Sequence, residues 1–163
     1  MPKIIQKEDK RLRETAEAVK AAEFGSASLT KLLKEMSAAL AKEDDGVAIA
    51  APQIGVSKRI FVVSSKMKPG TTSDLIFINP VIKQKSKKKV TLEEGCLSVR
   101  WLYGRTKRAE KVTVEAYDEL GKKFTRNGSG VWAQIFQHEI DHLNGILFTD
   151  HATQIEELKP EGK

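Results

Sequence analysis

Apolar residues along this chain recur in two rhythms, and each rhythm predicts a type of element. Leu29, Leu32, Leu33, Met36, Ala39 and Leu40 fall three and four positions apart, which gathers them into one stripe of an α-helix. Ser28 stands where an N-cap is needed, and the helix is expected to end near Asp44-Asp45-Gly46. Residues 46–55, GVAIAAPQIG, are small and contain a proline, so they read as a short strand entering a tight loop. A shorter rhythm follows in residues 59–63, 74–82, 90–93 and 112–118, the last with Val112, Val114 and Ala116 alternating with polar positions. Turn signals at Lys68-Pro69-Gly70 and Glu119-Leu120-Gly121 separate these strands, and a further strand is placed at 122–126. After Asn127-Gly128-Ser129-Gly130 the helical rhythm returns over 131–144 and is stopped by Gly145. Strands in succession followed by one long helix predict an α+β fold in which antiparallel sheets pack around that helix. With no linker or internal repeat, residues 1–163 are read as one domain.

Composition narrows the class of protein. The chain is 40% hydrophobic and 31% charged, ordinary for a folded domain and too apolar for a disordered one. No run of about 18 apolar residues is present, so no membrane association is expected and the cytoplasm is the expected compartment. The net charge of +6 favours acidic partners such as RNA. The densest basic stretch, Lys83 to Lys89, has no interleaved aromatics for stacking on bases, so it is read as a solvated loop or strand edge and no sequence-specific nucleic-acid binding is expected. Cys96 is the one cysteine, which excludes an internal disulfide and leaves a buried inert thiol or a metal-bound thiolate as the alternatives.

The chemistry concentrates in His138-Glu139-Ile140-Asp141-His142, inside the second helix. Residues four apart share a helix face, so His138 and His142 can present two imidazoles to one divalent ion. Glu139 is then placed to exchange protons with an attacking water. Chance is the poorer account, because the chain has only 3 histidines and two carry this spacing. A third ligand is needed. The metzincin position, six residues after His142, is Phe148, and the glutamates available to a thermolysin-like arrangement crowd the last residues. His151 reads as a surface residue, whereas Cys96 follows a strand and Gly95, where a thiolate can reach a metal. Cys96, His138 and His142 are the predicted ligands.

Three segments in order, Gly46-Val47-Ala48-Ile49-Ala50-Ala51-Pro52-Gln53, Glu94-Gly95-Cys96-Leu97-Ser98 and Gln137-His138-Glu139-Ile140-Asp141-His142-Leu143-Asn144-Gly145, resemble the motifs of the peptide deformylase family. The similarity extends to Lys10-Arg11-Leu12-Arg13 and to Arg108-Ala109-Glu110-Lys111-Val112. The resemblance implies hydrolysis of the N-formyl group from the N-terminal formylmethionine of new proteins, with one divalent metal, Fe(II) in cells and zinc, nickel or cobalt as substitutes. It implies that Gln53 and the Leu97 N–H bind the formyl oxygen while Glu139 moves the proton. Gly46, Val47, Ala48 and Gly95 would pair with the peptide as an added strand, and Val47, Leu97, Val131 and Ile135 would line a methionine pocket. For Val131 and Ile135 core packing is an equal alternative, and Trp132 is read as core. The sequence departs from the family pattern at Ala48, which replaces a glycine, at Val99-Arg100-Trp101-Leu102, where isoleucine and proline are usual, and at Tyr103, which replaces an arginine that positions substrate. Only 12 residues follow His151, so the expected transient ribosome contact would have to do without the longer C-terminal helix of many relatives.

Overall fold

The computed structural model describes residues 2–161; Met1, Gly162 and Lys163, the ends of the domain read from the sequence, lie outside the described residues. The chain runs α1 (Ala27–Ala41), β1 (Ala48–Ala50), β2 (Ile60–Val63), β3 (Leu75–Lys85), β4 (Lys89–Glu94), β5 (Leu102–Ala109), β6 (Lys111–Tyr117), β7 (Lys123–Ser129), α2 (Val131–Leu143) and β8 (Thr153–Glu157). The strands form two antiparallel sheets, one ordered β1-β2-β3-β6-β7 and one ordered β4-β5-β8. The fold is α+β, as the order of rhythms predicts.

The large sheet is covered by helices on both faces. In β2 all four residues are buried: Phe61 and Val63 join a cluster with Phe136, Ile140 and Leu143 of α2, while Ile60 and Val62 join one with Leu33, Met36 and Leu40 of α1. A strand covered on both sides needs no alternation, which is why 60–63 reads as an unbroken apolar run. Phe61 and Phe77 stack with ring centroids 4.5 Å apart, and Phe136 tilts against Phe77 at 5.4 Å. Full burial of each such ring contributes about 1.5–3 kcal/mol, so this cluster fixes α2 on the sheet. Trp132 packs against the same cluster, as expected.

Several boundaries differ from the sequence reading. Ser26, rather than Ser28, caps α1: its backbone is extended and its hydroxyl accepts from Leu29 N at 3.2 Å, while Ser28 already lies in the first turn. The helix ends at Ala41, before Asp44-Asp45-Gly46. Strands β5 and β8 lie outside the strands that the sequence pattern predicts. The inward positions of β5 are Gly104, Thr106 and Arg108, and β8 is exposed throughout, so neither has an apolar face to announce it. The lysine stretch closes a hairpin: Lys83 and Lys85 end β3, Lys89 opens β4, and all five lysines face solvent.

The last turn of α2 is secured from outside. Arg59 donates to Leu143 O at 3.0 Å and to Asn144 Oδ1 at 3.0 Å, satisfying a carbonyl that helix geometry leaves without a partner. Gly145 follows with φ of 75°, and a β-carbon there would lie 2.5 Å from Arg13 O, so only glycine fits the stop.

Candidate metal centre

The site is assembled where α2 meets the loop after β4. One helical turn separates His138 from His142, and their rings approach with centroids 5.0 Å apart. Cys96 is carried to them by a tight turn in which Val99 N donates to Cys96 O at 3.0 Å. The Cys96 sulfur lies 3.2 Å from His142 Nε2, and one ligand atom from each of Cys96, His138 and His142 lies within 4.8 Å of the others. One soft sulfur and two imidazoles at this separation suit a borderline divalent ion with a fourth position left over.

His138 is oriented by Glu94, a residue with no role in the sequence reading. Glu94 Oε2 accepts from His138 Nδ1 at 2.6 Å, which leaves Nε2 as the free nitrogen. Such a carboxylate behind a histidine sets the ring's tautomer and raises its strength as a ligand. Glu94 is itself held by Thr106 Oγ1 at 2.8 Å and by Arg108 through Nε at 3.1 Å and its second nitrogen at 2.6 Å. Arg108 also donates to Asp141 Oδ2 at 2.8 Å. Burial opposes charge on Glu94, but the bonds from His138 and Arg108 outweigh it and hold the carboxyl well below its ordinary range. Glu94 and Arg108 both stand in segments quoted above, yet their pairing depends on β4 and β5 lying side by side, which spacing along the chain does not reveal.

Glu139 is buried beside the ligands. Its Oε1 has no protein partner and its Oε2 is 3.9 Å from His138 Nε2. Burial pushes its carboxyl up to about 7, poised to take and release a proton near neutrality. His142 is driven well below its ordinary value by burial and by the neighbouring His138, which keeps it in the neutral form that can ligate. Gln53 is anchored through Oε1, which accepts from Ala50 N at 2.8 Å; its amide nitrogen is thereby turned toward Ser98 Oγ at 3.1 Å and Cys96 Sγ at 3.7 Å. Among the described residues the Leu97 N–H has no protein acceptor, while Leu97 O accepts from Gln6 Nε2 at 2.9 Å. The sulfur itself accepts from Ser98 N at 3.4 Å, so the Leu97 N–H and the Gln53 amide are the donors left for a ligand.

A cavity of about 360 Å³ opens over these groups and is lined by Val47, Ala48, Leu97, Val131, Ile135, Glu139 and others. Ile135 is both floor and core, whereas Val131 stands 49% exposed at the mouth. Gly95 lines the cavity too, and a β-carbon on it would meet the Tyr103 ring at 2.7 Å. Gly46 is outside the lining, packed behind Leu40. His151 is exposed, apart from the ligand set, with Nε2 3.8 Å from Asp141.

A histidine pair one turn apart on a helix, a convergent cysteine and a buried carboxylate with a raised pKa define the class: a hydrolase built around a metal-type site in an α+β fold. Comparison with known proteins supplies the family. The polypeptide deformylase family model matches residues 1–158. Peptide deformylase 2 of Clostridium acetobutylicum is 42% identical over 149 residues, covering 90% of this chain and 92% of that relative. A peptide deformylase of Desulforudis audaxviator is 40% identical over 159 residues, covering 96% of each. The crystal structure of a class I type b peptide deformylase from Acinetobacter baumannii with Met-Ala-Ser bound superposes with a TM-score of 0.83 at 36% identity, covering 91% of this chain and 97% of that one. The chain belongs to the polypeptide deformylase family, metal-dependent hydrolases that remove the formyl group from N-formylmethionyl peptides.

Proposed function

We propose that this chain deformylates nascent N-formylmethionyl peptides with Cys96, His138 and His142 holding one divalent metal, Fe(II) in cells, for which zinc, nickel or cobalt can substitute. Three features support the fit of a cation: a sulfur and two imidazoles converge, the ligand atoms lie within 4.8 Å of one another, and a carboxylate already backs one ring. Bound there, the ion supplies Lewis acidity that favours ionisation of water near neutral pH.

The remaining chemistry belongs to the chain. Glu139 accepts a proton from the attacking water and passes it to the methionine nitrogen as the amide bond breaks, leaving formate and a free amine. The Gln53 amide and the Leu97 N–H donate to the formyl oxygen as it gains negative charge, when fixed donors stabilise it most. Val47, Leu97, Val131 and Ile135 receive the methionine side chain, and the backbone near Ala48 and Gly95 pairs with the peptide as an added strand, with Gly46 behind it. The Met-Ala-Ser held by the Acinetobacter baumannii relative has the form of the product expected here.

We further propose that residues 1–163 act as one unit in the cytoplasm and touch the ribosome transiently. The +6 charge and the exposed lysine hairpin between β3 and β4 support attraction to RNA. Among the described residues no helix is long and apolar enough to cross a membrane.

The convergence of Cys96 with the two histidines beside Glu139 carries this reading. Protein purified without oxygen and loaded with Fe(II) or Ni(II) should release formate from formyl-Met-Ala-Ser; a metal-replete sample that releases none would overturn it. Ribosome contact should appear as co-sedimentation at low salt, and its absence there would remove that part of the proposal.

A further inference from the structure

The mouth of the cavity is spanned by one side chain. Arg100 donates through one terminal nitrogen to Asp45 Oδ2 at 2.8 Å, and through the other to Asp45 Oδ1 at 3.2 Å and Glu43 Oε2 at 2.8 Å. Glu43 and Asp45 belong to the segment that leads through Val47 into Ala48 at the start of β1, whereas Arg100 belongs to the loop after β4, which carries Cys96 and Leu97. The guanidinium therefore ties together the two walls between which a peptide must enter. Its side chain is only 18% exposed, and with three bonds to carboxylates it is not free to bind a substrate charge.

The same guanidinium lies over the Trp101 ring, 4.2 Å from its centre. One face of the indole is thus held by a cation, and Trp101 also lines the cavity. The lining of the same cavity carries further exposed apolar surface: Val47 is 37% exposed and Val131 49% exposed, and Tyr103 stands over Gly95. Water-exposed apolar surface gathered beside a cavity marks a place where a ligand's apolar surface is received.

We propose that Trp101, positioned by Arg100, selects the third residue of the peptide, favouring a large apolar side chain there. The proposal rests on the deformylase reading, in which the peptide enters as an added strand. Side chains alternate along a strand, so the third residue faces the same side as the methionine in the cavity, while the second faces away. Trp101 is a specificity residue. Arg100 acts through it and through the spacing of the two walls, and is a positioning residue.

The test uses metal-loaded full-length protein and two peptides, formyl-Met-Ala-Leu and formyl-Met-Ala-Ala. The wild-type chain should prefer the leucine peptide in kcat/KM, with the difference carried by KM. Trp101→Ala should lower that preference by about fivefold, the factor expected from uncovering roughly half a leucine side chain. Arg100→Ala should lower it similarly, and Arg100→Lys, which keeps a cation over the ring, should restore most of it. The unformylated product Met-Ala-Leu, titrated by calorimetry, should lose affinity for the Trp101 variant by the same factor. If Arg100→Ala does not fold, Trp101→Ala decides alone, since it leaves all three bonds to Glu43 and Asp45 intact. An unchanged leucine preference in Trp101→Ala, or one lost in kcat with KM constant, would overturn the proposal. Wild-type protein that deformylates both peptides equally would overturn the proposal and leave the deformylase reading standing; protein that deformylates neither would overturn both.

Discussion

The two sheets are held by opposite means. In the large sheet, Phe61, Phe77, Phe136 and their neighbours fill the space beneath α2 with hydrocarbon, and the strands need only be apolar and of suitable volume. In the small sheet the inward positions of β4 and β5 include Glu94, Thr106 and Arg108, joined by hydrogen bonds of 2.6–3.1 Å and buried to within a few per cent. Buried ion pairs give little net stability, because desolvation consumes most of the attraction. Their presence beside the metal-type site has another explanation: Glu94 must be rigid if it is to fix the His138 ring. One sheet supplies stability and the other supplies aim.

Substitutions sharpen this contrast. The largest effect is expected at Glu139, which aims nothing and holds nothing: Glu139→Ala should lower kcat by about 10²–10⁴-fold while metal analysis finds the ion retained. Near-normal turnover would remove its assignment as proton carrier. Glu94→Ala should act on both properties, lowering metal affinity or activity about 10–100-fold and stability by about 3 kcal/mol or more, since Arg108 is left buried with Asp141 as its remaining partner. Chelator competition and denaturant unfolding measure the two losses separately. If only stability fell, the small sheet would be no different in purpose from the large one. Phe77→Leu, in the hydrocarbon layer, should cost about 1 kcal/mol and leave metal retention unchanged.

The smallest effect belongs to the rim, where neither logic operates. Arg13 donates to both oxygens of Asp150, at 2.6 Å and 3.0 Å, and holds its carboxyl below the ordinary carboxylate value. A carboxyl depressed in the folded state stabilises fully above its unfolded pKa of about 3.9, and that contribution disappears as pH falls through the lower folded value. Both side chains are more than a third exposed, so screening keeps the contribution below about 1 kcal/mol. Melting curves of Asp150→Asn and wild type should differ slightly at pH 7 and converge toward pH 2; a gap that widened in acid would contradict the assignment.

Legibility in the sequence followed the same division. The large sheet and both helices could be read because hydrophobic burial leaves a periodic trace, as in Val112, Val114 and Ala116 of β6. The ligands could be read because His138 and His142 are local to one helix and Cys96 has few alternative uses. Strand β5 escaped because its inward Thr106 and Arg108 look like surface residues until Glu94 is opposite them. The cap of α1 lies two residues before Ser28: Ser26 and Ser28 are equally suited chemically, and only the extended backbone at Ser26 distinguishes them. The Arg100 bridge to Glu43 and Asp45 crosses more than fifty positions and leaves no local trace.

Glu94 sits at the end of β4 opposite Gly104, six pairs along an antiparallel ladder that begins at Lys89 and Ala109. A slip of one residue in that ladder would turn Glu94 outward and bring Glu93 or Gly95 inward. Such a chain would keep its hydrocarbon core, its helices and its overall shape, yet His138 would be free to rotate. Correct pairing of a six-residue hairpin is thus a checkpoint on competence that bulk probes of folding, such as helicity or compactness, would pass over.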